Sequence, residues 1–410
     1  FQAEDGIRDR SPSRGLGDVY KRQALRNATT ADGNTALGFH AGRSTTTGYN
    51  NVAIGYAALV SNTTGNNNLA IGNNALDAAS TASYNTAIGY NALTDNTTGA
   101  NNTCIGESAG ANITTGGYNT CIGNTTLFTN TTSSHNTALG YGALYANTGA
   151  SNTAVGSNAL IANTTGAGSV AIGYEALTAA TTGGQNIAIG YRALKSTTTS
   201  NDSVAIGYEA MEAATTGKNV AVGWNALKAD AGAVYCTAIG YDTLAHQTGT
   251  RSHNTAIGNR AMQAVVVANN NTAVGSECLY TNTGGAQNTA VGKAALYTNS
   301  TGSNNTAVGN YALDANTTAN NNTAIGYQTL LVNTTGTENT AVGDRALTAN
   351  TTASENTAVG HKSLESNTTG AQNTAIGRSA LLNNTTASYN VCLLYTSPSP
   401  RDGLLSRMPS

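Results

Sequence analysis

A glycine returns every seventeen residues along most of this chain, twenty-one times from Gly38 to Gly377, with only two steps of 16 and one of 18. Around it the same sentence is rewritten, most clearly as Asn85-Thr86-Ala87-Ile88-Gly89-Tyr90-Asn91-Ala92-Leu93-Thr94-Asp95-Asn96-Thr97-Thr98-Gly99-Ala100-Asn101. A period this short and strict belongs to a solenoid, in which each repeat is one coil stacked on the last. Helical repeat pairs need more than about thirty residues, so the coil is all-β. Function is therefore to be sought on a long surface rather than in a pocket.

Counting from the Asn, position 3 is Ala in nineteen copies and Cys in two, Cys104 and Cys121. Position 4 is always Ile, Val or Leu, position 5 always Gly, and position 8 always small. Position 9 is Leu or Met except at Gly42 and Gly110. The β-branched residues of positions 1–4 predict a short strand closed by the glycine. Positions 8–9 and 12–14 read as further short extended segments, and Gly or Asn at 15–17 supplies the turn. The expected fold is a parallel β-solenoid of about 21 seventeen-residue coils. At about 4.8 Å per coil it would extend on the order of 100 Å. Asn ladders at positions 1 and 12 are placed to bond amide to amide from coil to coil.

Neighbouring residues of a strand point to opposite faces. Ala or Cys at position 3 beside a branched aliphatic at position 4 therefore makes both faces of the strand apolar. One face lines the coil's own core with the position 9 leucines. The other calls for a partner, and the economical partner is another copy of the chain. The alternative is a monomer with a flat, Ala-covered sheet exposed. The alternation alone leaves open which face points inward.

The chain divides into 1–23, the array 24–390, and 391–410. All four prolines (Pro12, Pro398, Pro400, Pro409) lie in the two outer segments, with seven of the 19 Lys and Arg. The stretches GIRDRSPSRGLGDVYKRQ and CLLYTSPSPRDGLLSRMPS resemble translated sequencing adapter at the ends of a metagenomic fragment. Both outer segments are therefore expected to be artefactual or disordered, and are set aside from the fold. Asn390 opens a coil that is not expected to continue.

Within 24–390 there are 12 basic and 16 acidic residues, and no basic stripe, so nucleic acid is not an expected partner. No apolar run is long enough to span a bilayer, so no membrane contact is expected from this segment. The abundance of Asn, Thr, Gly and Ala resembles low-complexity disorder, but the fixed apolar positions oppose that reading. Cys104 and Cys121 share a repeat position in adjacent coils and are expected to be two small buried thiols. No disulfide framework or metal spacing is present.

The NTAIG core and its variants, NVAIG at Asn51–Gly55, SVAIG at Ser169–Gly173 and NTAVG at Asn288–Gly292, resemble the head repeats of trimeric autotransporter adhesins. They resemble still more the NTAVGYxAL-type arrays of bacterial and phage tail-fibre-like proteins. The resemblance covers 24–390. It implies a left-handed β-roll assembled as a homotrimeric fibre, extracellular, at an outer-membrane-anchored cell surface or on a virion. Adhesin heads usually have somewhat shorter repeats, a departure that bears on coil shape and trimerisation.

Chemistry is hard to find. The five histidines, His40, His135, His246, His253 and His361, hold scattered repeat positions and read as surface substitutions. Glu175 and Glu209 share position 7 two coils apart and read as solvated charges. The recurring Asn-x-Thr triplets match glycosylation acceptors formally, but their regularity marks them as ladders first. No catalytic, cofactor-binding or metal-binding residue is assigned, no cofactor is implied, and no enzymatic activity is expected. The informative variable is position 6, which reads Tyr174, Tyr191, Tyr208, Trp224 and Tyr241 in five consecutive coils. Such an aromatic row has two uses: stacking on sugar rings of a cell-surface glycan, or stacking on itself to stabilise the solenoid. The expected function is thus a structural segment of a fibrous adhesin or tail fibre with possible glycan contact along that row. The alternative is an ice-binding solenoid using ranks of Thr at positions 2, 13 and 14.

Overall fold

The computed structural model describes residues 24–229, 232–246, 252–264 and 267–393. The segment 1–23, which holds the first adapter-like stretch, and residues 394–410, which hold all of the second but Cys392 and Leu393, lie outside the described residues. The described residues fall into two compact units that meet in sequence between Asn186 and Ile187. Both are parallel β-solenoids built from one element. Nine three-residue strands run from Thr35–Leu37 to Val170–Ile172 in the first unit, and thirteen from Ile187–Ile189 to Val391–Leu393 in the second.

Each strand occupies positions 2–4 and pairs in register with the same positions of its neighbours, as in Thr306↔Thr323, Ala307↔Ala324 and Val308↔Ile325. The backbone reaches both ways. Val52 N donates to Asn68 O at 2.8 Å, and Gly55 N donates to Leu37 O at 2.8 Å. The last strand, Val391–Leu393, pairs on Thr374–Ile376. Asn390-Val391-Cys392-Leu393 satisfies the repeat's first four positions, so the ladder continues three residues past the expected boundary at 390.

Strand alternation resolves the open question of facing. Position 3 is buried in every coil from Ala53 to Ala375, whereas position 4 is buried in none of the described coils. Alanine therefore faces the core, where it meets the buried position 9 side chains from Leu59 to Leu364. The core is thin, so polar residues complete it. Position 1 Asn68 is buried; its Nδ2 donates to Ala82 O at 2.8 Å, and its Oδ1 accepts from Asn85 N at 3.0 Å. Position 12 Asn62 closes the opposite loop, donating to Gly65 O at 3.1 Å and accepting from Gly65 N at 3.0 Å. Buried amides are tolerated where their donors and acceptors find partners inside the stack; the Oδ1 atoms of Asn96 and Asn163 are exceptions.

Only one strand forms per coil; the extended segments expected at 8–9 and 12–14 are turns and bends instead. The reason is curvature: a seventeen-residue coil must reverse direction in a few residues. Positions 7, 9 and 17 take up left-handed backbone, with Leu59 at φ 51° and Leu330 at φ 49°. A leucine there costs roughly 1–2 kcal/mol. The cost is offset by full burial of the side chain and by ladder bonds such as Leu59 N to Ala75 O at 2.9 Å. The invariance of position 5 has a double cause. At Gly326 φ is +136°, and a Cβ would lie 2.5 Å from the carbonyl oxygen of Gly343 in the next coil.

One coil repacks its core. Position 9 is Gly110 and position 12 is the buried Ile113, in place of Leu and Asn. A Cβ on Gly110 would meet Ile113 Cδ1 at 2.9 Å, Cys104 Sγ at 2.8 Å and Cys121 Sγ at 3.4 Å. Isoleucine and two thiols fill the volume that leucine vacates, the kind of compensated exchange that cores tolerate. Cys104 and Cys121 are free and buried, as their shared repeat position suggested. Their mutual hydrogen bond, followed by burial, holds the Cys104 thiol well above its ordinary range.

Candidate functional site

With position 3 inward, positions 2 and 4 point out together. Within each unit they form an outward row: Thr, Val, Ile or Leu at position 2 and an aliphatic at position 4 in every coil, with no charged residue among them. Leu139 is 42 % exposed, Ile325 40 % and Ile376 39 %. The glycine at position 5 then turns the chain and sets position 6 outward beside this row. Tyr56, Tyr90, Tyr141 and Tyr327 are exposed there, as are Tyr174, Tyr208, Trp224 and Tyr241.

The five residues assigned from sequence are divided between the units. Tyr174 belongs to the first; Tyr191, Tyr208, Trp224 and Tyr241 belong to the second and form one row. Tyr191 and Tyr208 stack nearly parallel, centroids 4.9 Å apart and planes 10° apart. Trp224 breaks the stack. It meets Tyr208 edge-on at 5.4 Å and 61°, and Tyr241 at 5.6 Å and 73°. Of the two uses left open by the sequence, self-stacking is seen on a face of Tyr191 and of Tyr208, while the indole stands across the row.

Charged side chains gather next to the same row. Lys228 Nζ pairs with Glu209 Oε2 and lies 3.8 Å from Glu212 Oε2; Arg192 Nη1 lies 3.8 Å from Glu212 Oε1. The Lys228 ammonium holds the Glu209 carboxyl below the usual carboxylate range, and Glu209 in turn raises Lys228. Arg192 also lies over the Tyr191 ring, 5.0 Å from its centroid. Asn225 Nδ2 donates to Asp242 Oδ1 at 3.0 Å, and Gln263 Nε2 to Asp242 Oδ2 at 3.4 Å. Glu209, read from sequence as a solvated charge, is an ion-pair member. Among the described residues no group of three or more His, Cys, Asp or Glu gathers as a metal site would require.

Sequence reasoning missed the aromatic pairs on other faces. Phe128–Tyr145 and Tyr280–Tyr297 stack at position 10, at 5.2 and 5.1 Å. Tyr118 and Tyr235 stack on His135 and His253 near the repeat boundary, at 5.1 and 5.2 Å. His40 stacks on Phe39, and His361 lies 3.8 Å from Asp344. The signal was available, since aromatic residues one repeat apart must be ladder neighbours, but only position 6 was followed. The Asn-x-Thr triplets at position 12 bury their asparagines, Asn62, Asn96 and Asn333 among them, which removes those amides from any modifying enzyme. The position 13 threonines donate into the ladder, Thr317 Oγ1 to Thr334 O at 3.0 Å and Thr46 Oγ1 to Thr63 O at 3.0 Å. Those hydroxyl protons are therefore committed within the protein.

In both units the outward surface thus includes two adjacent rows, one aliphatic and free of charge, one variable and rich in aromatics. The chain matches no protein-family model and no curated protein.

Proposed function

We propose that this array is a structural segment of a surface-exposed fibre of the adhesin or tail-fibre kind, assembled from identical copies, as a homotrimer, through the outward row at positions 2 and 4. The observation that carries the reading is the half-exposed aliphatic row of position 4. Soluble proteins keep contiguous apolar patches small and punctuate open sheet surfaces with charge. Here no charge interrupts positions 2 and 4 in either unit. A surface that repeats itself coil by coil is matched best by another copy carrying the same repeat. The NTAIG resemblance supports the same assembly and an extracellular location, on a cell or a virion. In this reading position 6 flanks the interface and is the side of the fibre open to a glycan.

Sedimentation velocity tests the assembly. The unmutated chain should sediment as a trimer, and Ile257→Lys with Ile325→Lys should convert it to folded monomer, with circular dichroism unchanged. Ala290→Lys with Ala307→Lys should instead unfold the chain, because those alanines are fully buried in the core. A stable, soluble monomer before mutation would sink the self-assembly claim.

A further inference from the structure

The position 6 row is not uniform, and its one irregular member has the geometry of a ligand platform. Parallel stacking at Tyr191–Tyr208 spends ring faces on each other. Trp224 is turned 61° and 73° from its two ring neighbours and touches both by edge-to-face contact. Neither ring neighbour lies flat on it, and the residue is 52 % exposed. An indole held rigid by a tyrosine on each side, with a face turned away from the row, is pre-organised to receive a flat apolar surface at little entropic cost.

The groups beside it limit what that surface can be. Arg192, Lys228 and Arg260, with Glu209, Glu212 and Asp242, lie on the coil of Trp224 and on those one and two coils away, three basic and three acidic. The contacts are internal: Lys228 with Glu209 and Glu212, Arg192 with Glu212, and Asp242 with the amides of Asn225 and Gln263. Among the described residues only the Arg260 guanidinium of this set is left without a carboxylate partner, and because the set as a whole carries no net charge a charged ligand gains no net attraction there. A neutral one finds planar carboxylates and amides, whose remaining lone pairs and N–H groups suit hydroxyls. A molecule with an apolar C–H face and a rim of uncharged hydroxyls is a neutral sugar ring.

We infer that Trp224, flanked by Tyr208 and Tyr241 and bordered by Glu209, Asn225 and Asp242, is a subsite for a neutral polysaccharide, stacking one sugar ring on the indole. This rests on the reading of position 6 as the ligand side of the fibre and assigns it a single anchor and a charge class. A second copy's Trp224 in an assembled fibre multiplies the contact, so weak single-site binding gains by multivalency.

Trp224 is the only tryptophan of the chain, so its emission reports on this subsite alone. The full-length chain is titrated with cellohexaose, xylohexaose and maltohexaose, and with an oligogalacturonate as the anionic comparator. A saturable emission change with at least one neutral oligosaccharide and none with the oligogalacturonate is expected. Calorimetry on Trp224→Ala should then show that ligand's affinity reduced by about tenfold or more, with Tyr191→Ala changing it less than about twofold. Sedimentation of Trp224→Ala should match the parent, which separates loss of the subsite from loss of the fibre. No saturable response to any neutral probe, a response to the oligogalacturonate alone, or unchanged binding by Trp224→Ala would each overturn the assignment. A monomeric parent that still binds would overturn the fibre and leave the subsite standing.

Discussion

Within the second unit, residues 271–390 and residues 187–264 use the same strand but differ in how they are held. From 271 onward every coil has seventeen residues and position 12 is Asn throughout: Asn282, Asn299, Asn316, Asn333, Asn350, Asn367 and Asn384. Each Nδ2 donates to the Oδ1 of the preceding one, for example Asn316 to Asn299 at 2.7 Å and Asn350 to Asn333 at 2.9 Å. Between 187 and 264 position 12 reads Thr197 and Ala214 among the described residues, and the coil lengths include 16 and 18. This second stretch carries the Trp224 row and its ion pairs. The regular stretch places its polar investment inside, as an amide ladder; the irregular one gives up the ladder and puts polarity outside. Interior amide bonds in a low-dielectric stack reinforce one another, so stability and surface specialisation are expected to be anticorrelated along the chain.

The largest effects should be shared by both stretches. Gly326→Ala and Gly223→Ala both place a Cβ against the next coil's carbonyl, at 2.5 and 2.3 Å, at φ +136°. Each should destabilise by roughly 3 kcal/mol or more, read as urea midpoints. Unequal losses would show that the strand itself differs between the stretches. Leu330→Ala should cost about 2–5 kcal/mol by opening a cavity in the thin core.

The next tier should separate the stretches. Asn333→Ala strands Asn316 Oδ1 and removes the bond to Gly336 O, which should cost about 2–3 kcal/mol. Thr197→Ala removes only a hydroxyl bond to Ala214 O and should cost about 1 kcal/mol. Equal costs in chemical denaturation would break the contrast. A gain of function in stability should sharpen it. In the first unit Asn163 Oδ1 is buried without a hydrogen bond, and the next coil offers Ala180 at position 12. Ala180→Asn should supply the missing donor and raise stability by about 1 kcal/mol; no change in thermal midpoint would argue that the ladder is not stabilising. Asn96 Oδ1 is orphaned in the same way by Ile113, but Ile113 and the two thiols fill the volume left empty at Gly110, so Ile113→Asn should destabilise.

The smallest effect is electrostatic. Burial, the main cause, raises the Cys278 thiol from 9.0 to about 11. A raised folded value favours the protonated form, so its contribution is complete below about pH 9 and is lost as pH rises through about 11. Thiol alkylation should therefore leave Cys278 unmodified in the folded chain at pH 8, and mass spectrometry of the treated protein checks this.

Most of the architecture was legible because period is a global property: seventeen residues, β-branched positions and an invariant glycine leave few solutions. The facing of Ala at position 3 was not legible, because alternation says that two neighbours point apart without saying which is inside. Leucine in left-handed backbone at position 9 was also unreadable. Propensity opposes it, and only the packed ladder makes it acceptable. At the candidate site the row of residues could be read off the period, but ring orientation could not. Trp224 differs from Tyr208 by a rotation, and no spacing encodes a rotation.

The coil that breaks the rule, with Gly110 and Ile113, has a consequence for how the chain finds its structure. Every strand in a perfect repeat would pair equally well with any other strand, so a nascent stack has many registers displaced by whole coils and nothing to choose among them. A coil whose glycine and isoleucine fit only against Cys104 and Cys121 accepts one neighbour and rejects the rest. Together with the 16- and 18-residue coils, it works as an index mark on an otherwise unmarked tape, and replacing it with the consensus coil should lengthen refolding by admitting misaligned intermediates.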